Sequence, residues 1–139
     1  MANLLPIDFS QISTYITLAV ILILSVVLCM LAYRLMNVVP AKWLCDYDEE
    51  PDESLLGTRY IFKQSGIYTS ALFAIFNLGI FAFFGYSYYT IFFLLISITM
   101  LLIAMSDFKY TIIPDQFTIA LAVLCVTLAI TDLFTQQIF

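Results

Sequence analysis

Residues 88–133 read YYTIFFLLISITMLLIAMSDFKYTIIPDQFTIALAVLCVTLAITDL, which is two long apolar runs separated by a short segment that contains Pro114. Proline cannot continue a helix through its own position, so the chain must turn between the runs and begin a new helix near Asp115. Each run is close to the roughly 20 residues that a helix needs to cross about 30 Å of hydrocarbon. The stretch therefore predicts two membrane-spanning helices joined by a short turn.

Two further apolar runs precede this pair. The four predicted spans cover residues 12–33, 67–84, 88–105 and 117–133, and a polar loop covers residues 34–65. The chain of 139 residues is 63% hydrophobic and only 11% charged, whereas soluble domains average about 25% charged residues. We therefore predict an all-α, polytopic membrane protein that forms a single membrane domain over residues 1–139, with the lipid bilayer as a partner.

The basic residues predict the orientation of these spans. All five fall on one side of the four-span arrangement: Arg34, Lys42, Arg59, Lys63 and Lys109. Loops that face the cytoplasm carry an excess of lysine and arginine. We therefore predict that both termini face outward and that the 34–65 loop and the turn before Asp115 face the cytoplasm.

The composition argues against several classes of function. The chain has no basic patch and no alternation of basic and aromatic residues, which speaks against nucleic acid as a partner. It contains no histidine, and its three cysteines form no CxxC motif, so we predict no metal site and no cofactor. Six of the ten acidic residues lie within residues 46–53, which we interpret as a solvated, mobile segment.

Small and polar residues on the second span predict contacts between helices. Gly66, Ser70 and Ala74 recur at every fourth position, and small residues at that spacing let helices approach closely. Asn77 lies in the middle of the same span. We expect its amide to hydrogen-bond a neighbouring helix rather than a substrate.

Two acidic residues flank the Pro114 turn, and a structural role explains the position of only one of them. Asp115 follows Pro114 near a predicted helix start, where an acidic residue acts as a cap or faces the positive end of the helix dipole. Asp107 lies at the C-terminal end of a span, where it meets the negative end of the dipole. An ionisable residue near hydrocarbon indicates a functional site. The alternative is that Asp107 simply reaches water, with Lys109 partly neutralising its charge.

The pattern of Asp107, six residues and Pro114-Asp115 between two apolar helices resembles the first catalytic motif of the type IV prepilin peptidases. These are polytopic aspartic peptidases of the GxGD type. The continuation Gln116-Phe117-Thr118 fits the family's pattern. Tyr33-Arg34-Leu35 at the end of the first span is similar to the family's Tyr-Arg-Leu-Pro, with Met36 in place of proline.

This resemblance implies an endopeptidase of the bacterial inner membrane. It would cleave the leader peptides of type IV pilin-like or type II secretion pseudopilin precursors. Asp107 would be the catalytic residue, and Lys109, Pro114 and Asp115 would support it within the motif.

The chain also departs from the family's pattern. The second catalytic aspartate, within Gly-x-Gly-Asp, is absent, and the loop has only Cys45 where bifunctional members carry paired CxxC motifs. Asp132 lies 17 residues beyond Asp115, about 25 Å along a helix, so we expect it at the opposite membrane face. The second carboxyl group would have to come from another chain or from a missing C-terminal half.

Two alternatives to the peptidase stay open. The chain could be a catalytically silent scaffold that binds a pilin-like or secretion-system partner through its helices. It could also be an unrelated four-helix membrane subunit in which Asp107 belongs to a structural loop.

Overall fold

Four long helices make up the structure, a computed structural model that describes residues 7, 11–45 and 49–138. They are α1 (Ile12–Val38), α2 (Gln64–Phe84), α3 (Tyr88–Tyr110) and α4 (Asp115–Ile138), with 3-10 turns at Ala41–Leu44 and Glu53–Leu55 in the loop between α1 and α2. Within these residues there is no strand, and all four helices are long and apolar enough to cross a membrane. The predicted fold class and number of spans are confirmed.

The helices extend beyond the predicted apolar spans. α1 continues to Val38 and α3 continues to Tyr110, so Asp107 lies in the last helical turn of α3 and not in the connecting segment. Hydropathy marks the part of a helix that lies in hydrocarbon, whereas the backbone hydrogen bonds continue into the interface. The connection between α3 and α4 is therefore short, covering residues 111–114.

The helix ends define two faces of the bundle. The end that carries the 39–63 loop and the 111–114 turn is called the loop face here, and the end with the tight 85–87 turn is called the opposite face. All of the basic residues lie at or near the loop face by their position along the elements. Its assignment to the cytoplasm stays a prediction from these charges.

A polar contact joins α1, α2 and α3 in the middle of the bundle. The Asn77 amide donates to the Ser25 hydroxyl at 2.9 Å, and its carbonyl oxygen accepts from Ser97 at 2.7 Å. All three side chains are buried. The prediction that Asn77 bonds neighbouring helices is confirmed, and each such bond within a membrane protein contributes about 0.6 kcal/mol.

The small residues of α2 lie on its buried face. Ser70 and Ala74 are both buried, which confirms the packing interpretation at these two positions. At Gly66 an added Cβ would lie 2.6 Å from the Phe62 ring. Gly66 is therefore required by the Phe62 side chain, which belongs to the loop before α2, and not by close packing against another helix.

α4 is the least buried element. Its principal contact is with α3, and Phe117 is its one buried side chain among residues 115–135, for which burial is described. Many of its other apolar side chains are exposed, which costs no hydrophobic free energy in a bilayer.

The loop between α1 and α2 folds back onto the helices. Leu44 and Leu55 are buried in one apolar cluster that also contains Met36, Met105 and Phe117. This cluster therefore joins the loop to α1, α3 and α4. Part of the predicted solvated segment, residues 46–48, lies outside the described residues, and its other acidic residues are exposed: Glu49, Glu50, Asp52 and Glu53.

Candidate functional site at the loop face

Asp107 lies on the last turn of α3 and is exposed at the loop face. Its carbonyl oxygen accepts a hydrogen bond from the Thr111 N–H at 2.8 Å, and Thr111 ends the helix in the left-handed conformation with φ of 54°. Within residues 11–45 and 49–138, no side-chain hydrogen bond or ion pair holds the Asp107 carboxylate. This carboxylate is thus accessible to water and to a second molecule.

Lys109 is directed to the loop rather than to Asp107. Its ammonium group donates to the Arg59 carbonyl oxygen. The same group lies 4.6 Å from the centroid of the Tyr60 ring and 5.4 Å from that of Tyr110, which are cation–π distances. Lys109 therefore joins α3 to the loop, and among the described residues it makes no ion pair with Asp107.

Tyr60 forms a second connection between the loop and α3. Its hydroxyl donates to the Met105 carbonyl oxygen at 2.6 Å. The ring meets Tyr33 and Tyr110 edge to face, with centroids 6.1 Å away in both cases. Burial raises the pKa of Tyr60, and the neighbouring Tyr110 and Tyr33 raise it further, whereas Arg59 lowers it. Tyr60 therefore stays a hydrogen-bond donor at neutral pH.

Asn37 holds the same part of the loop against α1. Its side-chain oxygen accepts from the N–H groups of Arg59 and Tyr60 at 2.8 and 2.7 Å. Its amide donates to the carbonyl oxygens of Tyr60 at 2.8 Å and Tyr33 at 3.1 Å. Arg59 in turn donates to the Met36 carbonyl oxygen at 3.3 Å. We call Asn37, Arg59 and Tyr60 the loop clamp.

The turn after α3 is built by a serine and a proline. The buried Ser106 hydroxyl donates to the Ile112 carbonyl oxygen at 2.7 Å. The Pro114 carbonyl oxygen accepts from the Phe117 N–H at 3.0 Å, which opens α4. Asp115 is exposed and is the acidic residue of the first turn of α4. The predicted first-turn position of Asp115 is confirmed.

Asp132 lies far from these groups, near the end of α4 at the opposite face. Its carboxylate accepts from the Tyr88 hydroxyl at 2.9 Å and also from the Tyr89 hydroxyl. The expectation that Asp132 and Asp115 lie at different faces is confirmed. Within the described ranges, no group of three or more histidine, cysteine or acidic residues could hold a metal ion.

Sequence reasoning missed the loop clamp and the tyrosine partners of Asp132. A signal for Asp132 was present, because it is an acidic residue near the end of a span, as Asp107 is. The loop clamp had no comparable signal, since Asn37 and Tyr60 are ordinary polar residues that lie 23 positions apart.

Comparison of the chain with protein-family models, with curated proteins and with solved structures finds no match. Functional inference therefore depends on the residues of the loop face and on the resemblance of their sequence motif.

Proposed function

We propose that this protein is a prepilin-peptidase-like aspartic endopeptidase of the bacterial inner membrane, with Asp107 as a catalytic residue. Its substrates would be precursors of type IV pilin-like proteins or type II secretion pseudopilins, cleaved at their leader peptides. The observation that carries the proposal is the exposed position of Asp107 at the end of α3, before a short turn that leads into α4 at Pro114-Asp115.

The chemistry requires two carboxyl groups that share one proton. The Asp107 carboxylate takes a proton from water as the water oxygen attacks the scissile carbonyl carbon. The second carboxyl group, which starts protonated, donates to the leaving amine as the C–N bond breaks. Asp132 cannot be that group, because it lies at the opposite face. In this proposal another chain supplies the second acid.

The loop clamp supports this function by ordering the surface next to Asp107. Lys109 and Tyr60 each join the last two turns of α3 to the loop. Because a catalytic carboxylate must be held within a fraction of an ångström of its productive position, these contacts keep the end of α3 from fraying. Lys109 therefore acts as a positioning residue for Asp107.

The test is cleavage of a prepilin in reconstituted membranes that also contain the candidate source of the second acid. We expect Asp107→Asn to lower the cleavage rate by about 10²- to 10⁴-fold, the usual contribution of general acid–base catalysis. Glu50→Gln is the control, since Glu50 is an exposed acidic residue of the loop outside the motif. Cleavage that survives Asp107→Asn unchanged would contradict the catalytic assignment.

A catalytically silent scaffold of a pilus or secretion system is the second candidate. It is favoured by the lack of any hydrogen bond between Asp107 and another carboxyl group in the described part of the chain. Co-purification with a pilin-like partner separates the two functions. A scaffold retains that partner after Asp107→Ala, and the wild-type protein shows no cleavage with any added second chain.

A further inference from the structure

A cavity of about 450 Å³ opens at the loop face between the loop that follows α1 and the start of α4. One wall comes from the 3-10 turn Ala41–Leu44 and the other from residues 111–116. Ligand-binding cavities commonly measure about 300 to 1,000 Å³, so this one admits a small polar group. Asp107 is not part of its wall.

The charged side chains of this cavity are one of each sign. Among the described residues that line it, these are Lys42 and Asp115. A lysine ammonium group is a point charge that binds phosphate, and a carboxylate has several lone pairs with which to accept hydrogen bonds from a primary ammonium group. A ligand that carries both a phosphate and a primary ammonium group matches this pair, whereas a ligand of a single charge meets repulsion from one wall.

The cavity lies at the loop-face end of the bundle, where the apolar spans stop and a bilayer would place its lipid headgroups. It is formed by the 3-10 turn that follows α1 and by the segment that leads into α4. Trp43 lines it, and tryptophan is enriched at membrane–water interfaces. Ile112, Ile113 and Pro114 form an apolar part of the same wall, which suits the glycerol and upper acyl carbons of a lipid.

From these observations we propose that the cavity binds the headgroup of a phospholipid with a primary ammonium group, of the phosphatidylethanolamine class. Lys42 binds the phosphate, Asp115 accepts from the ammonium group, and Trp43 covers the glycerol region. This lipid site shares Pro114 and Asp115 with the proposed peptidase motif but does not use Asp107, so lipid binding can be measured apart from cleavage.

The same geometry predicts selectivity among lipids. Phosphatidylcholine has a quaternary nitrogen without N–H donors, so it cannot hydrogen-bond the Asp115 carboxylate. Phosphatidylglycerol has a phosphate but no cation. Hydrogen bonds to charged groups contribute enough to change a dissociation constant by about tenfold each, so we expect both lipids to bind about tenfold more weakly than phosphatidylethanolamine.

Trp43 is the only tryptophan of the chain, so its fluorescence reports on this cavity directly. The experiment titrates short-chain phosphatidylethanolamine, phosphatidylcholine and phosphatidylglycerol into the detergent-solubilised full chain. Free phosphoethanolamine is a fourth arm and distinguishes a lipid from a soluble source of the same headgroup. Lys42→Gln and Asp115→Asn are the variants, and Lys63→Gln is the control, since Lys63 is an exposed lysine at the same face outside the cavity.

The expected result is a phosphatidylethanolamine affinity that falls about tenfold in Lys42→Gln and is unchanged in Lys63→Gln. In Asp115→Asn the preference over phosphatidylglycerol is lost. Thermal unfolding of each variant shows that the exposed substitutions leave the fold intact. Equal affinity for the three lipids in the wild type, the same loss in Lys63→Gln, or equally tight binding of free phosphoethanolamine would overturn the proposal.

Discussion

At the scale of single residues, charged side chains at the loop face do not pair with the charged residues nearest to them in the sequence. Lys109 lies two positions from Asp107 but binds the Arg59 carbonyl oxygen and the face of Tyr60. Successive helical residues point in different directions, whereas residues three or four apart share a face. Asp107 is therefore left exposed.

Tyr60→Phe tests the value of the hydroxyl bond to Met105 at this scale. Removing the hydroxyl leaves the ring contacts in place and loses one hydrogen bond, so we expect a loss of about 1 kcal/mol in the free energy of unfolding at pH 7. The measurement is unfolding in mixed micelles, with Tyr68→Phe as the control because Tyr68 is 63% exposed. Equal destabilisation by both substitutions would show that the hydrogen bond from Tyr60 to Met105 does not stabilise the fold.

The same variant carries a pH dependence. The pKa of Tyr60 is raised in the folded state. The protonated hydroxyl therefore contributes fully to the free energy of unfolding below about pH 10, the ordinary pKa of tyrosine. This contribution is lost as the pH rises toward the folded-state pKa. Above pH 10 the unfolded chain releases this proton and the folded chain does not, which favours unfolding. We expect the stability of the wild type to fall more steeply than that of Tyr60→Phe between pH 10 and 11.

At the scale of elements, the loop between α1 and α2 is ordered through backbone hydrogen bonds that a single side chain provides. Asn37 bonds both the N–H and the carbonyl of Tyr60 and the N–H of Arg59. Asn37 thus satisfies backbone groups of a loop segment that lies outside the helices. The sequence predicted a polar loop but contained no pattern for this contact, which depends on two segments meeting in space.

Asn37→Ala is expected to release the loop from α1. It leaves two partly buried N–H groups without their acceptor, and each unsatisfied group costs about 1–3 kcal/mol. The amides of Arg59 and Tyr60 should then exchange with deuterium faster, and protease should cut residues 55–63 sooner. Asn37→Asp separates the two kinds of contact, since a carboxylate keeps both accepting contacts with these amides but loses the two donated hydrogen bonds. Unchanged exchange of these two amides in Asn37→Ala would refute the role of the clamp.

At the scale of the whole molecule, α4 packs chiefly against α3, and specific contacts fix it near each of its ends. Near the loop face, α4 is held by the 111–114 turn and by Phe117, which joins the apolar cluster of the other elements. Near the opposite face, Asp132 accepts hydrogen bonds from Tyr88 and Tyr89 of α3. Between these points α4 exposes apolar side chains such as Val123, Val126 and Ile130.

Asp132→Ala should therefore loosen one end of α4 only. We expect a spin label at residue 133 to become more mobile and a label at residue 119 to be unaffected, because Phe117 still anchors that end. Both labels are placed in a background without Cys45 and Cys125, which are partly or fully exposed. Tyr89→Phe should increase the mobility of the label at residue 133 by a smaller amount, because the Tyr88 hydroxyl still donates to Asp132. Equal loosening at residues 119 and 133 would contradict attachment at separate points.

The sequence by itself determined the four spans, the turn at Pro114, the start of α4 at Asp115 and the grouping of basic residues at one face. These features are readable because a span needs about 20 apolar residues and satisfies its backbone hydrogen bonds within itself. The tertiary structure alone decided which residues surround Asp107, how the loop clamp forms and where α4 attaches. Those contacts join segments far apart in the chain, so their geometry depends on how the helices pack and not on any local pattern.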